Sequence, residues 1–134
     1  MNLSEPITSI MTTNVVTVSP HQKLIDVKHI FEKEQFHHHI PVVENGSLVG
    51  MISMVDFFYT INRTDSMSDE DAVYHQKSAG DIMSKNPFQK PLESTIGDIA
   101  KELAKGDFHA VVITDNRVLK GIVTTADIIR YFIK

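Results

Sequence analysis

A mixed α+β fold built twice over is what this sequence predicts, and three observations carry that expectation. The stretch Gly50-Met51-Ile52-Ser53-Met54-Val55-Asp56 returns as Gly121-Ile122-Val123-Thr124-Thr125-Ala126-Asp127, about seventy residues later. The hydrophobic pattern around each copy runs in one order: strand, helix, strand, strand, helix. The chain has 134 residues, 42% apolar and 22% charged, which suits one compact domain or two small halves sharing a core.

Taken in order, Ile7-Thr8-Ser9-Ile10-Met11 leads into Val15-Val16-Thr17-Val18, a β-branched run that reads as a short strand. Ser19-Pro20 breaks it. Leu24, Val27, Ile30 and Phe31 then fall at three- and four-residue spacings, one apolar stripe on a helix from Lys23 to about Gln35. Ile40-Pro41-Val42-Val43 and Leu48-Val49-Gly50-Met51-Ile52 flank Asn45-Gly46, a strong hairpin signal, and a helix follows from Ser53 to about Ile61. Residues 63–78 turn polar and acidic, with Asp65, Asp69, Glu70 and Asp71, and read as a linker with one helical turn near Asp71 to His75.

The pattern then restarts. Gly80-Asp81-Ile82-Met83 stands for Ser9-Ile10-Met11, Asn86-Pro87-Phe88 for Asn14-Val15-Val16, and Ile96, Ile99, Ala100 and Leu103 for the helical stripe. His109-Ala110-Val111-Val112-Ile113 repeats His38-His39-Ile40-Pro41-Val42, and Asp115-Asn116-Arg117 repeats the turn. Val118 to Val123 form the outgoing strand, and the last helix runs from Thr124 to about Ile133. Two βαββα repeats, 1–62 and 79–134, are therefore expected to close their apolar faces against each other, neither being stable alone.

Composition narrows the function. The absence of cysteine removes disulfides, thiolate zinc sites and a cysteine nucleophile together, and nothing ties the chain to an oxidising compartment. The start, Met1-Asn2-Leu3-Ser4-Glu5-Pro6, shows no basic region followed by an apolar core. No run approaches the roughly eighteen apolar residues of a membrane span, so a cytoplasmic protein with no membrane partner is expected. A net charge of −4 argues against a general nucleic-acid binder. There is no Gly-Lys-Ser/Thr phosphate loop, no His-Glu-x-x-His helix and no serine in a nucleophile elbow, so no enzymatic activity is expected.

The duplicated stretch puts a hydroxyl, Ser53 or Thr124, and a carboxylate, Asp56 or Asp127, at a strand-to-helix turn. Two readings compete there. Ser or Thr followed three residues later by an acid makes a capping box that needs no ligand. Alternatively, the unpaired amides and positive dipole end of a helix start can hold a polar or anionic ligand.

The order and double occurrence of these pieces resemble the paired cystathionine β-synthase (CBS) domains, the Bateman module, over nearly the whole chain from about Ile7 to Ile133. The carriers are Ile10-Met11 and Ile82-Met83, His38-His39-Ile40-Pro41-Val42-Val43, and the two Gly-to-Asp stretches. The resemblance implies a stand-alone, pseudo-two-fold pair with two clefts between the repeats, a flat homodimer, and adenosine-containing ligands such as AMP, ADP, ATP or S-adenosylmethionine. No cofactor is required.

An ionised Asp56 or Asp127 offers two acceptor oxygens to the adjacent hydroxyls of a ribose, and Ser53, Thr124 or Thr125 can bond a sugar hydroxyl or phosphate. The resemblance places Ile52, Ile82, Val111 and Ile122 about the base. His38 and His39 stand where some nucleotide-sensing members carry a basic pair facing the phosphates, and His109 is the matching position in the second repeat. Lys120 and Arg130 are alternative phosphate partners, each also a plausible solvated surface charge. Adjacent strand residues face opposite ways, so at most one of His38 and His39 faces a given cleft. His37-x-His39 shares one strand face, but spacing identifies no third ligand for a metal.

Two departures from the family pattern, Val112 in place of the proline that Pro41 supplies and bulky Met54 inside the first turn, make the second turn with Thr124, Thr125 and Asp127 the preferred site. The expected function is regulatory sensing of an adenosyl metabolite. The rival is a ligand-free interaction module in which Met51, Met54, Met67 and Met83 dock a protein target, although methionine also fills ordinary core gaps.

Overall fold

Two compact units divide the chain: Val16–Pro87, and Met1–Val15 joined with Phe88–Lys134. The computed structural model describes residues 2–33, 38–63 and 70–134. His37, Met67, Asp65, Asp69 and the expected helix end at Gln35 lie outside the described residues.

In Val16–Pro87 the amphipathic stripe forms α1 (Leu24–Lys33), burying Leu24, Val27 and Phe31. Strands β1 (His39–Glu44) and β2 (Ser47–Ser53) make an antiparallel hairpin. Its turn holds Asn45 at φ 52° and Gly46 at φ 82°, the two left-handed residues that a two-residue hairpin loop with native twist requires. Helix α2 (Met54–Asn62) lays Phe57 and Ile61 on the core. That core gathers Val18, Leu24, Val27, Ile40, Val42 and Ile52 with the mutually tilted rings of Phe31 and Phe57, 5.4 Å apart.

The described part of the acidic stretch forms more than one helical turn. Helix α3 (Glu70–Gln76) has seven residues, and its Val73 and Tyr74 pack against the same core. Beyond it, the Leu24 N–H donates to Lys77 O (2.9 Å) and the Ala79 N–H to Gln22 O (2.8 Å), tying this region to the start of α1. Helix α4 (Ala79–Ile82) and β3 (Ser84–Lys85) follow, with β3 antiparallel to β2 through Gly50↔Lys85 and Met51↔Ser84.

The strand expected over Val15–Val18 does not form; only Val18 bridges β1, in parallel with Val42. Val18 N–H donates to Pro41 O (3.2 Å) and Val43 N–H to Val18 O (2.8 Å). The next rung toward Val16 would need an N–H from Pro41, which proline lacks. The other unit supplies the comparison. There β4 (Gln89–Pro91) pairs in parallel with β5 (Ala110–Asp115), and Val112, standing where Pro41 stands, donates its N–H to Phe88 O at 3.4 Å. One residue thus decides whether the first strand of a repeat is a ladder or a single bridge.

That unit is completed by α5 (Ile96–Ala104), β6 (Val118–Thr124) and α6 (Thr125–Ile133). β5 and β6 repeat the hairpin, down to the register irregularity: Val42/Val43 in one unit, Ile113/Thr114 in the other. Ile7, Ile96, Ile99, Leu103, Val111, Ile113, Val123 and Ile128 form the core.

The sequence repeats and the compact units are drawn differently. Ile7, first in the sequence repeat 1–62, is fully buried with residues of the other repeat, and Thr12 pairs with Ile122 of β6 through two 3.0 Å backbone bonds. β3 holds the corresponding place on β2. Each repeat contributes its opening segment to the unit built around the other.

Candidate functional site

The glycine that opens each Gly-to-Asp stretch lies under a methionine. A Cβ on Gly50 would stand 2.3 Å from Met83 Sδ, and one on Gly121 would stand 2.7 Å from Met11 Sδ and 2.9 Å from Thr12 O. The two short signals read separately in the sequence, Ile-Met and Gly-to-Asp, are therefore one packing unit. In it a side-chain-free strand position lets a thioether cross the strand just before the turn.

At the first turn Ser53 is the N-cap of α2, and its Oγ accepts from Asp56 N–H at 3.0 Å. The Met54 N–H donates to His38 O at 2.8 Å. The Asp56 side chain is half-buried, and among the described residues its carboxylate has no hydrogen-bond or ion-pair partner. Met54 packs against the core.

At the second turn the capping box is complete. Thr124 Oγ1 accepts from Asp127 N–H (3.2 Å), and Asp127 Oδ2 accepts from Thr124 N–H (2.8 Å). The Thr125 N–H donates to His109 O at 3.0 Å, copying the Met54–His38 bond. Asp127 Oδ1 accepts from Arg130 Nη2, one helical turn on, and the Asp127 side chain is 15% exposed. The capping reading holds fully for Asp127 and by half for Asp56, whose carboxylate is not turned back onto the backbone. Most of the initial amides that the helix-start reading counted as available already have partners.

The other predicted positions separate. Ile52 and Val111 are 0% exposed in the two cores, out of reach of an external base, while Ile122 is 8% exposed and Ile82 half-buried. His38, His109 and Lys120 are exposed, and His39 is half-buried on β1 with partners of its own. The described residues hold no cluster of three or more His, Asp or Glu arranged for a metal ion, and no described helix is long and apolar enough to cross a membrane. A shallow depression of about 420 Å³ lies elsewhere, at the start of α5, lined by Lys90, Pro91, Glu93, Ser94, Asp98 and Lys101. Its lining includes no residue of either turn, so it is not the site that the duplicated motif builds.

Two βαββα-derived units, each carrying a Gly-Met crossing and a capped strand-to-helix turn, define a tandem module of mixed α+β type. The CBS domain family model matches residues 7–63 and 79–134, and the chain belongs to that family. An uncharacterized protein of Methanocaldococcus jannaschii is 30% identical over 129 residues, covering 96% of this chain and 44% of that protein. The chain spans 44% and 48% of two such archaeal relatives, about half their length. Among solved structures, CBSX2 in complex with AMP has a TM-score of 0.80 at 22% identity, covering 96% of each chain. CBSX2 is a CBS-pair protein of Arabidopsis thaliana. The CBS domain pair of protein MJ0100, in complex with 5′-methylthioadenosine and S-adenosyl-L-methionine, has a TM-score of 0.78 at 23% identity, covering 95% and 94%. At these identities the likeness is one of fold.

Proposed function

We propose that this chain is a regulatory module that binds adenosine-containing metabolites at its two duplicated turns and transmits occupancy by shifting a packing equilibrium. The observation that carries this reading is the half-buried carboxylate of Asp56, which has no hydrogen-bond or ion-pair partner among the described residues, beside Ser53, whose hydroxyl keeps a proton to donate. A carboxylate in that state meets the vicinal hydroxyls of a ribose with two charge-assisted hydrogen bonds and loses no internal contact in doing so. The AMP, methylthioadenosine and S-adenosylmethionine complexes of proteins with the same fold support the choice of ligand class. Regulation requires only that the ligand bind one of two arrangements more tightly, since equal affinity shifts nothing. Calorimetric titration with adenosine, AMP, ATP and S-adenosylmethionine tests the reading. Asp56→Ala should weaken a bound adenosyl ligand by ten- to a hundredfold, about the strength of a hydrogen bond to a charged group. An unchanged affinity, or no binding by any of the four, would reject it.

The interaction reading draws on a different observation. Val55, Phe58 and Tyr59 on α2 are 77%, 53% and 58% exposed, and Ile129 and Ile133 on α6 are 53% and 77% exposed. Each set falls at the i, i+3, i+4 or i, i+4 spacing of one helix face. We propose that these faces associate with a second copy of the chain. In sedimentation velocity, Phe58→Asp with Ile133→Asp should convert dimer to monomer; a wild-type monomer at tens of micromolar would dismiss the idea.

A further inference from the structure

We propose that Arg130 makes the second turn selective for anionic adenosyl ligands, those bearing a 5′-phosphate, whereas the first turn accepts the sugar without regard to charge; this rests on the adenosyl-binding reading above. The two turns share backbone and capping hydroxyl but differ in what faces the aspartate. Asp127 Oδ2 receives the Thr124 amide, and its outward Oδ1 is held by the Arg130 guanidinium. Arg130 is exposed, 65% at the side chain, and is placed at i+3 on α6. The residue at that register after Asp56 is Tyr59, whose ring lies under the Arg63 guanidinium with 4.5 Å from Cζ to centroid, and among the described residues no guanidinium pairs with the first carboxylate.

A ribose arriving at Asp127 competes with the guanidinium for Oδ1. An i, i+3 ion pair whose guanidinium is exposed to water is weak, so the guanidinium can be moved, but an uncharged nucleoside gives it no new partner. A 5′-phosphate stands one sugar ring away from the diol, within the swing of an arginine side chain. The planar guanidinium matches phosphate oxygens in bidentate geometry. Exchange of carboxylate for phosphate then makes the sugar contact and the phosphate contact a single event. The first turn has no such exchange, so its discrimination between charged and uncharged adenosyl compounds should be small.

The test isolates the second turn in an Asp56→Ala background and compares AMP with adenosine by calorimetry, with and without Arg130→Gln. With Arg130 in place AMP should bind at least tenfold more tightly than adenosine. Arg130→Gln should cut that ratio about tenfold through lost AMP affinity, with adenosine unchanged or slightly tighter, and Arg130→Lys should fall between, keeping charge without the fork. Equal loss of both ligands, or a ratio that Arg130→Gln leaves alone, overturns the proposal. If the wild type binds both compounds but the Asp56→Ala protein binds neither, the second turn is not a site and this inference fails while the adenosyl-binding reading stands for the first turn alone. If the wild type binds neither, both fall.

Discussion

At the residue scale, equivalent positions in the two repeats carry different burdens, and the hairpin loops show it most cleanly. Asn45-Gly46 meets the two left-handed positions with residues suited to them, whereas the second loop places Asn116 at φ 50° and Arg117 at φ 70°. An L-residue with a long side chain in that region carries about 1–2 kcal/mol of steric cost, partly offset by the entropy that a glycine would lose. Arg117 is exposed. Arg117→Gly should therefore stabilise the protein by about 0.5–1 kcal/mol in a denaturant titration, and a loss of stability would mean that the arginine has a contact worth more than its strain. The sequence showed the loop and its location but not the strain, because φ at a non-glycine residue leaves no mark in a pattern. The same limit applies to Asp56 and Asp127. Spacing makes them look alike, and what separates them, the return bond from the Thr124 amide and the Arg130 guanidinium on Asp127, depends on side-chain rotamers.

At the element scale, most helices and both hairpins were legible because their signals are local. The stripe Leu24, Val27, Phe31 and its copy Ile96, Ile99, Leu103 are buried where three- and four-residue spacing put them. Val15–Val18 was misread because β-branched composition speaks for a strand, while the hydrogen bond that would extend it belongs to a partner residue, Pro41, more than twenty positions away. Helix α3 exceeds the single turn the sequence suggests because Val73 and Tyr74 are too few to set a period, and the partners of Tyr74, Phe57 and Lys28, are distant in sequence. The caps give this scale its prediction. Hydrogen bonds from Thr95, backbone first and then hydroxyl, hold the Asp98 carboxyl below its ordinary 3.8, and Ser78 does the same for Asp81. A depressed folded-state pKa means stability that is present above 3.8 and is lost as pH falls through the folded value. Thermal midpoints should hold steady from pH 7 to about 5 and fall below pH 4, and Asp98→Asn should flatten part of that fall. A decline identical in the variant would show that other carboxylates carry it.

At the scale of the molecule, the exchange of opening segments governs what can be cut. Residues 2–12 are not a tail on the first repeat. Ile7 fills the core built on α5 and β6, its N–H donates to Ser94 O (2.9 Å), and Ile96 and Gly97 donate to Glu5 O and Leu3 O at 2.8 Å each. The Tyr131 hydroxyl donates to the Glu5 carboxylate (2.7 Å) and accepts from Asn2 N–H (3.0 Å), so the end of α6 is fastened to the same segment. A fragment of residues 79–134 has the sequence of a whole repeat, yet it lacks Ile7, the Thr12 rung on Ile122 and the Met11 side chain that crosses Gly121. Removing a fully buried isoleucine side chain alone costs about 2–5 kcal/mol, of the order of what a domain this small has to lose. That fragment should show no cooperative unfolding transition by circular dichroism, and adding a peptide of residues 1–15 should restore one. In the full chain, Ile7→Ala should speed amide exchange in β6 and α5 before it does so in β1 and β2. Cooperative melting of 79–134 without the peptide, or exchange that rises first in β1 and β2, would mean that the opening segment decorates a unit already complete without it.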